Sequence, residues 1–440
     1  MDGLQSVIMF PALFVLIFLG IPVAFSLIIV GAIFSYLALG ANAGFQMHGA
    51  LATVASNFTL AAIPLFIFMG ALLERSKIAT NLLNALGSIL GSLPGGLAVA
   101  VVVICAIFAA SSGVVGAVEI MIGIMAVPSL LKARYKNDLI CGTICAGGSL
   151  GTIIPPSIIP IIYATSADLS VGDLFAGILL PGLIMTGLFI IYIITRCTLR
   201  PQDGPPITLA ESTITTRGQR FWLLVTALLP PVVLIVLVLG SIFAGIASPT
   251  EAAAVGAFGV LALTILYRQL TFDLLVDAGM QTVSITAMTL LIVVGGTLFS
   301  SAFLMNGGST VVRIVIDSLD LGISGTMLSF IVVIFVLGFV LDWIAILLIM
   351  IPIFNPFIIQ SNIDPIWFAV LVCVVLQTSY LSPPMAPSIF YLQTIVPPEI
   401  KLADMYRGVV PFVLLQFVTL LIVYLVPGIA TYMPTILFRI

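Results

Sequence analysis

Two long apolar segments of the chain are each interrupted by a Pro-Pro pair within a run of small polar residues. The first interruption reads Gly147-Gly148-Ser149-Leu150-Gly151-Thr152-Ile153-Ile154-Pro155-Pro156-Ser157, and the second reads Gln377-Thr378-Ser379-Tyr380-Leu381-Ser382-Pro383-Pro384-Met385. A break in a helix at membrane depth is tolerated only where it is buried in protein or lines a cavity. Matched breaks, one in each half of a chain, are typical of a transporter whose binding site lies between two repeats.

The composition is that of a protein that crosses a lipid bilayer several times. Hydrophobic residues occupy 61% of the 440 positions and charged residues 7%, whereas soluble domains carry about 25% charged residues. There is no basic patch of the kind that binds nucleic acid, so no nucleic-acid partner is expected. Five cysteines without a CxxC pair and a single histidine provide no metal-ligand cluster, and we expect neither an enzyme nor a cofactor other than a coupling ion.

The apolar runs predict an all-α polytopic membrane fold, since about 20 residues suffice for one helical crossing. The first predicted half, 1–196, has scaffold helices within 1–92, a hairpin at 97–130, a broken helix at 138–165 and a helix at 170–196. A cytoplasmic linker, 197–219, joins it to the second half, 220–440. This half has scaffold helices within 221–304, an interfacial arm at 307–321, a hairpin at 326–359, a broken helix at 366–394 and a last helix at 405–434.

The two hairpins are predicted because their apolar runs are too long for one crossing and are interrupted. The interruptions lie at Ser111-Ser112-Gly113 and between Gly338 and Asp342. Each hairpin would enter and leave the bilayer by the same side. Lysine and arginine cluster at 75–77, 132–136 and 196–220, and the positive-inside rule assigns these segments to the cytoplasm. Both termini are therefore predicted to be periplasmic.

A near-constant sequence offset indicates an internal repeat. Pro383 follows Pro155 by 228 positions, and the same offset relates Cys373 to Cys145. Each half would contain five full crossings. Because five is an odd number, the second repeat must be inverted relative to the first.

Four motifs resemble the large membrane subunit of the TRAP (tripartite ATP-independent periplasmic) transporters, carriers of C4-dicarboxylates and sialic acid. These motifs are Ala110-Ser111-Ser112-Gly113, Gly151-Thr152-Ile153-Ile154-Pro155-Pro156-Ser157, Ser248-Pro249-Thr250-Glu251-Ala252-Ala253-Ala254 and Ser382-Pro383-Pro384-Met385. The resemblance covers essentially the whole chain. It implies a scaffold and a moving transport domain, an elevator mechanism, sodium coupling and a place in the bacterial inner membrane.

The same resemblance implies partner proteins and a substrate class. A soluble periplasmic substrate-binding protein would deliver a small organic acid. A four-helix small membrane subunit is expected as a separate polypeptide, because the sequence shows no such region fused to it. The alternative is a stand-alone sodium–dicarboxylate symporter of the ion transporter superfamily, which would work without a binding protein.

Both breaks are candidate sodium sites. Unwound backbone carbonyls and hydroxyl groups supply the oxygen ligands that sodium requires, and proline frees carbonyls in the preceding turn. The alternative is that these small residues only allow close helix packing. The predicted first site comprises Ser111, Ser112, Gly113, Gly148, Gly151 and Thr152, and the second comprises Leu341, Asp342, Thr378, Ser379 and Ser382.

The substrate is expected to be an anion, by the family resemblance. Where helices restart after each break, backbone N–H groups and the positive end of the helix dipole would face a carboxylate. The predicted substrate-binding residues are Ser112, Thr152, Pro155, Pro156, Ser157, Pro383, Pro384 and Met385.

Three carboxylates require separate interpretation. Asp342, at the second hairpin tip, is predicted to bind sodium or to gate, the alternative being a cap of the following helix. Glu251 follows Ser248-Pro249-Thr250, a pattern that predicts a helix-capping box. Glu119 has no evident partner in the sequence, and its role is left open between a buried hydrogen-bonded acid and a coupling residue.

Overall fold

The computed structural model describes residues 3–76, 78–112, 115–206, 217–383 and 386–438, with only the backbone described at a few helical positions. Every regular element in these ranges is helical. Eight helical stretches of the described residues are long and apolar enough to cross a membrane. The predicted all-α polytopic membrane fold is therefore confirmed.

The first half of the chain forms ten helices in the described residues. They are α1 (Leu4–Phe18), α2 (Val23–Leu39), α3 (Ala43–Ser56), α4 (Ala62–Arg75), α5 (Ile78–Leu90), α6 (Gly96–Ser112), α7 (Val115–Lys132), α8 (Asn137–Ser149), α9 (Ile158–Ala167) and α10 (Val171–Leu199). Helices α6 and α7 occupy the predicted first hairpin, and α8 and α9 are the two parts of the first broken helix.

Ten further helices follow in the second half of the described chain. They are α11 (Arg217–Phe243), α12 (Pro249–Leu266), α13 (Phe272–Met305), α14 (Gly308–Leu319), α15 (Gly322–Leu337), α16 (Trp343–Gln360), α17 (Pro365–Leu381), α18 (Pro387–Gln393), α19 (Leu402–Leu425) and α20 (Gly428–Phe438). Helix α12 begins with the predicted capping box, in which Ser248 and Glu251 exchange backbone hydrogen bonds of 2.7 and 3.3 Å.

Three boundaries are added or moved relative to the sequence prediction. The last predicted helix, 405–434, is two helices, because Pro427 has no N–H donor and holds Val426 outside the helical conformation. Within the predicted scaffold region 1–92, the helices α3 and α4 are separated at Asn57, whose side chain accepts a hydrogen bond from the Thr59 N–H at 3.0 Å. The predicted linker 197–219 is shorter in its described part, since α10 continues to Leu199 and Asp203 folds back onto that helix.

Among the described helices, α8 and α19 cross with their backbones in direct contact. A Cβ atom on Gly142 would overlap the carbonyl oxygen of Gly408, and one on Gly408 would overlap the carbonyl oxygen of Asp138. Only glycine allows two backbones to approach this closely. This crossing connects the first broken helix to the long helix near the end of the chain.

The two halves of the chain also contact each other around the breaks. Helix α9, after the first break, packs against α16 of the second hairpin. Helix α18, after the second break, packs against α7 of the first hairpin. Each restarted helix thus contacts the hairpin of the other half, a reciprocal pattern that favours the predicted repeat. The inverted orientation and the elevator motion stay predictions.

Candidate functional site

The first break is a buried turn between α8 and α9. Residues Leu150–Thr152 form one 3-10 turn after α8. The Thr152 hydroxyl donates to the Ser149 carbonyl at 2.8 Å, and the Ser157 hydroxyl donates to the Thr152 carbonyl at 2.9 Å. Pro155 and Pro156 are joined by a cis peptide. The predicted break is present, with its hydroxyl groups inside the protein, as are Gly148 and Gly151.

The second break lies between α17 and α18. Three hydroxyl groups at the end of α17 donate to carbonyls one turn earlier, at 2.8 to 3.1 Å; they belong to Thr378, Ser379 and Ser382. Each hydroxyl oxygen keeps acceptor capacity for a cation. Pro383 belongs to the described part of this break, whereas Pro384 and Met385 lie outside it.

The tip of the second hairpin meets the second break at a small cavity. Gly338 approaches Ser379 so closely that a Cβ on this glycine would overlap the serine side chain. The cavity has a volume of about 30 Å³, and Leu341, Asp342 and Ser379 are among its lining residues. Three of the five residues predicted for the second sodium site therefore lie together. Thr378 and Ser382 belong to the same break but do not line this cavity.

Asp342 has a structural role that the sequence analysis gave as the alternative. It precedes α16, and its Oδ2 accepts a hydrogen bond from the Ile344 N–H at 3.1 Å. The side chain is exposed at the edge of the cavity. A cap uses only part of the acceptor capacity of a carboxylate, so capping and cation binding are compatible here.

The first hairpin contacts the first break in an equivalent way. Helix α6 packs against α8 and against the turn Leu150–Thr152. On α7, Glu119 fills the space beside Gly148, where a Cβ would overlap its Cγ. Gly113 and the side chains of Ser111 and Ser112 lie outside the described residues, so their part in the first site stays a prediction.

Glu119 is fully buried where the first hairpin meets both breaks. Its Oε1 accepts a hydrogen bond of 2.5 Å from the hydroxyl of Ser388, on α18. Its Oε2 has no hydrogen-bond partner among the described residues. No local sequence pattern predicts this contact, because the two residues are 269 positions apart. Glu119 is a candidate functional residue, because it is a buried acid and one of its carboxylate oxygens has no hydrogen-bond partner among the described residues.

A polar cluster outside the predicted sites joins the two broken helices. The Ser149 hydroxyl accepts hydrogen bonds from the amides of Gln377 and Gln416, at 3.2 and 3.3 Å. All three side chains are fully buried. Ser149 and Gln377 are 228 positions apart, which is the offset between the two Pro-Pro pairs. That shared offset is the signal in the sequence that relates Ser149 to Gln377.

Two curated proteins that are similar to this chain in sequence are transporter proteins. The chain is 30% identical over 383 residues to the C4-dicarboxylate TRAP transporter large permease protein DctM of Pseudomonas aeruginosa, covering 86% of each. It is 28% identical to the isethionate TRAP transporter permease protein DctMQ of Oleidesulfovibrio alaskensis, over 97% of this chain and 66% of that protein. Both relatives are transporter permeases.

A solved structure shares the fold. The Alcanivorax borkumensis YdaH transporter matches 96% of this chain and 98% of its own, with a TM-score of 0.63 and 12% sequence identity. At that identity the likeness concerns the fold alone. The family described as "Tripartite ATP-independent periplasmic transporter, DctM component" matches residues 10–429. The chain therefore belongs to the DctM component family of the tripartite ATP-independent periplasmic transporters.

Proposed function

We propose that this chain is the large membrane subunit of a sodium-coupled secondary transporter that takes up a small organic acid by an elevator mechanism. The observation that carries the proposal is the contact of the second hairpin tip with the second break, around the cavity bordered by Asp342 and Ser379. Sodium binding at such a junction would hold the hairpin against the broken helix. Ion binding and hairpin closure would then be one event.

The cavity has the size and chemistry for a small cation. A space of about 10–15 Å³ is enough to hold a water molecule, and this one measures about 30 Å³. A hard cation prefers carboxylate, hydroxyl and carbonyl oxygens. Asp342 would supply a carboxylate oxygen and Ser379 a hydroxyl oxygen, while the nearby end of α17 presents Thr378 and Ser382. Leu341 would contribute its backbone carbonyl.

The first break would hold a second sodium ion. Its buried hydroxyl at Thr152 and the glycines Gly148 and Gly151 bring backbone oxygens close to the first hairpin. Ser111, Ser112 and Gly113 would complete the site from the hairpin tip. The contact between Glu119 and Gly148 supports this pairing, because it shows that the hairpin and the break are packed together.

The substrate would lie between the two breaks, near Ser149 and Gln377. The helices that restart after each break, α9 and α18, begin at Ile158 and Pro387. Their first turns would present backbone N–H groups to a carboxylate or a similar anion. The substrate-binding residues proposed here are Ser112, Thr152, Pro155, Pro156, Ser157, Pro383, Pro384 and Met385. The C4-dicarboxylate and isethionate in the relatives' names support a small organic anion.

The proposed transporter has two protein partners and an inner-membrane location. A soluble periplasmic binding protein would deliver the substrate, and a separate small membrane subunit would complete the membrane complex. Both termini are assigned to the periplasm from the distribution of basic residues.

Reconstitution tests the function as a whole. Proteoliposomes that contain this chain and the small membrane subunit, supplied with the loaded binding protein, should accumulate substrate only with an inward sodium gradient. Current measured together with flux gives the stoichiometry, because two Na⁺ with a dianion move no net charge. Uptake that does not depend on the sodium gradient would overturn the proposed sodium coupling. Uptake without the binding protein would favour the stand-alone symporter instead.

Loss of a hydroxyl from the first proposed sodium site should weaken sodium binding. We expect Thr152→Ala and Ser112→Ala each to raise the sodium concentration for half-maximal uptake, because each removes a proposed ligand oxygen. A change of about tenfold corresponds to about 1.4 kcal/mol of binding free energy. The measurement is uptake against sodium concentration at equal amounts of reconstituted protein.

A matched control is available on another helix. Thr264, on α12, is fully buried and its hydroxyl also donates within its own helix, at 2.7 Å. Thr264→Ala should leave the sodium dependence unchanged. If Thr152→Ala and Ser112→Ala behave like this control, the first sodium site is wrongly assigned.

A further inference from the structure

A basic cavity lies where the beginnings of α8 and α19 meet the end of α10. Its volume is about 460 Å³. Four cationic side chains line it, together with one carboxylate, Asp138. The cations are Lys136, Arg196, Arg200 and Arg407. The first three belong to the clusters that predict the cytoplasmic side of the membrane.

Part of this charge is balanced inside the protein. Arg196 donates to both oxygens of Asp138, at 3.0 and 2.9 Å, and to Asp203 at 2.9 Å. Lys136 lies 3.9 Å from each of the same two carboxylates. Arg196 also donates to the Tyr192 hydroxyl at 3.1 Å. This network fixes one wall of the cavity in position.

The remaining charge is positive and accessible. Arg200 and Arg407 are both exposed, and neither forms a salt bridge within the described part of the chain. Among the residues that line the cavity and their salt-bridge partners, four cations against the two carboxylates Asp138 and Asp203 leave two positive charges unbalanced. A cavity with this surplus at a membrane boundary attracts an anion.

The cavity continues into an apolar surface. On α10, Ile191 and Leu199 are 61% and 77% exposed, and with Thr195 they are spaced four residues apart on one helix face. On α19, Leu414 is 59% exposed and lies on the same face as Pro411, three residues earlier. Helices α10 and α19 pack against each other. A basic recess therefore opens onto two neighbouring apolar helix faces.

We propose that this cavity binds the phosphate group of an anionic phospholipid on the predicted cytoplasmic side. Arg200 and Arg407 would contact the phosphate oxygens, and the acyl chains would lie along the exposed faces of α10 and α19. Basic pockets between membrane helices bind such headgroups, and each basic residue contributes attraction to anionic lipid. A free phosphate ion shares the headgroup chemistry but would not use the apolar faces.

Native mass spectrometry of the full purified chain in neutral detergent tests the proposal. The wild type should retain phosphatidylglycerol in preference to phosphatidylcholine. The double variant R200Q/R407Q should lose about tenfold or more in phosphatidylglycerol affinity. The control K132Q/R268Q removes the same charge from two exposed residues that do not line the cavity and should bind like the wild type. Size-exclusion chromatography checks that each variant is folded.

Three results would overturn the assignment. One is equal retention of phosphatidylglycerol and phosphatidylcholine by the wild type, a comparison that needs no variant. Another is equal binding by R200Q/R407Q and the control. The third is displacement of phosphatidylglycerol by an equal concentration of inorganic phosphate, which would assign the cavity to a soluble anion.

Discussion

Asp342→Asn should lower sodium-driven uptake about tenfold or more while the yield of folded protein stays unchanged. Asparagine keeps a side-chain oxygen that accepts the hydrogen bond of the Ile344 N–H, and both residues are good helix caps. The substitution removes the negative charge that attracts the cation. Because the carboxylate is accessible at the cavity, its loss should affect sodium binding more than stability. Initial uptake rates in proteoliposomes with both partner proteins provide the measurement.

Asp364→Asn is the matched control for this prediction. Asp364 caps α17 as Asp342 caps α16, with Oδ1 accepting hydrogen bonds of 2.8 and 3.1 Å from the N–H groups of Ile366 and Trp367. It does not line the cavity at the hairpin tip. Its conversion to asparagine should leave uptake near the wild-type rate. Equal uptake by both variants would show that Asp342 is a helix cap and no more.

Gly142→Ala should destabilise the folded protein and lower its yield. The added methyl group would overlap the carbonyl oxygen of Gly408 and lie 2.8 Å from the ring of Phe412. The clash is with backbone, so no side-chain rotation relieves it, and α8 must move away from α19. Overpacking of this kind costs about 1–3 kcal/mol or more. Fluorescence-detected size-exclusion chromatography should show a smaller monodisperse peak, and Tm in detergent should fall.

The control for this prediction is a glycine in a membrane helix with free space beside it. Gly187 lies on α10, and apart from its chain neighbours and its own helix backbone no described residue has an atom within 4 Å of the position that a Cβ would occupy. Gly187→Ala should leave the peak unchanged or raise Tm, because alanine favours a helix over glycine by about 1 kcal/mol. A similar loss in both variants would mean that the backbone approach at Gly142 is not the cause.

The helices and their interruptions could be predicted because their causes are local. Apolar runs of sufficient length indicate membrane helices wherever they occur, and proline breaks the helical hydrogen-bond pattern at its own position. Pro155 and Pro383 thus fixed the places of both breaks, and the pattern from Ser248 to Glu251 fixed the start of α12. The predicted last helix, 405–434, is divided at Pro427, since a proline within an apolar run ends a helix even where the hydropathy continues.

Which residues meet across the molecule was decided only by tertiary structure. The sequence by itself determined the membrane class and the positions of the two breaks. It did not reveal that Ser388 donates to Glu119, that Gln416 reaches Ser149, or that α8 and α19 cross backbone to backbone at Gly142. Apolar helices of similar composition can pack in many registers, and the fit of small residues and buried polar pairs selects one. The packing register depends on contacts between side chains that are hundreds of positions apart in the chain. A local sequence pattern therefore does not predict it.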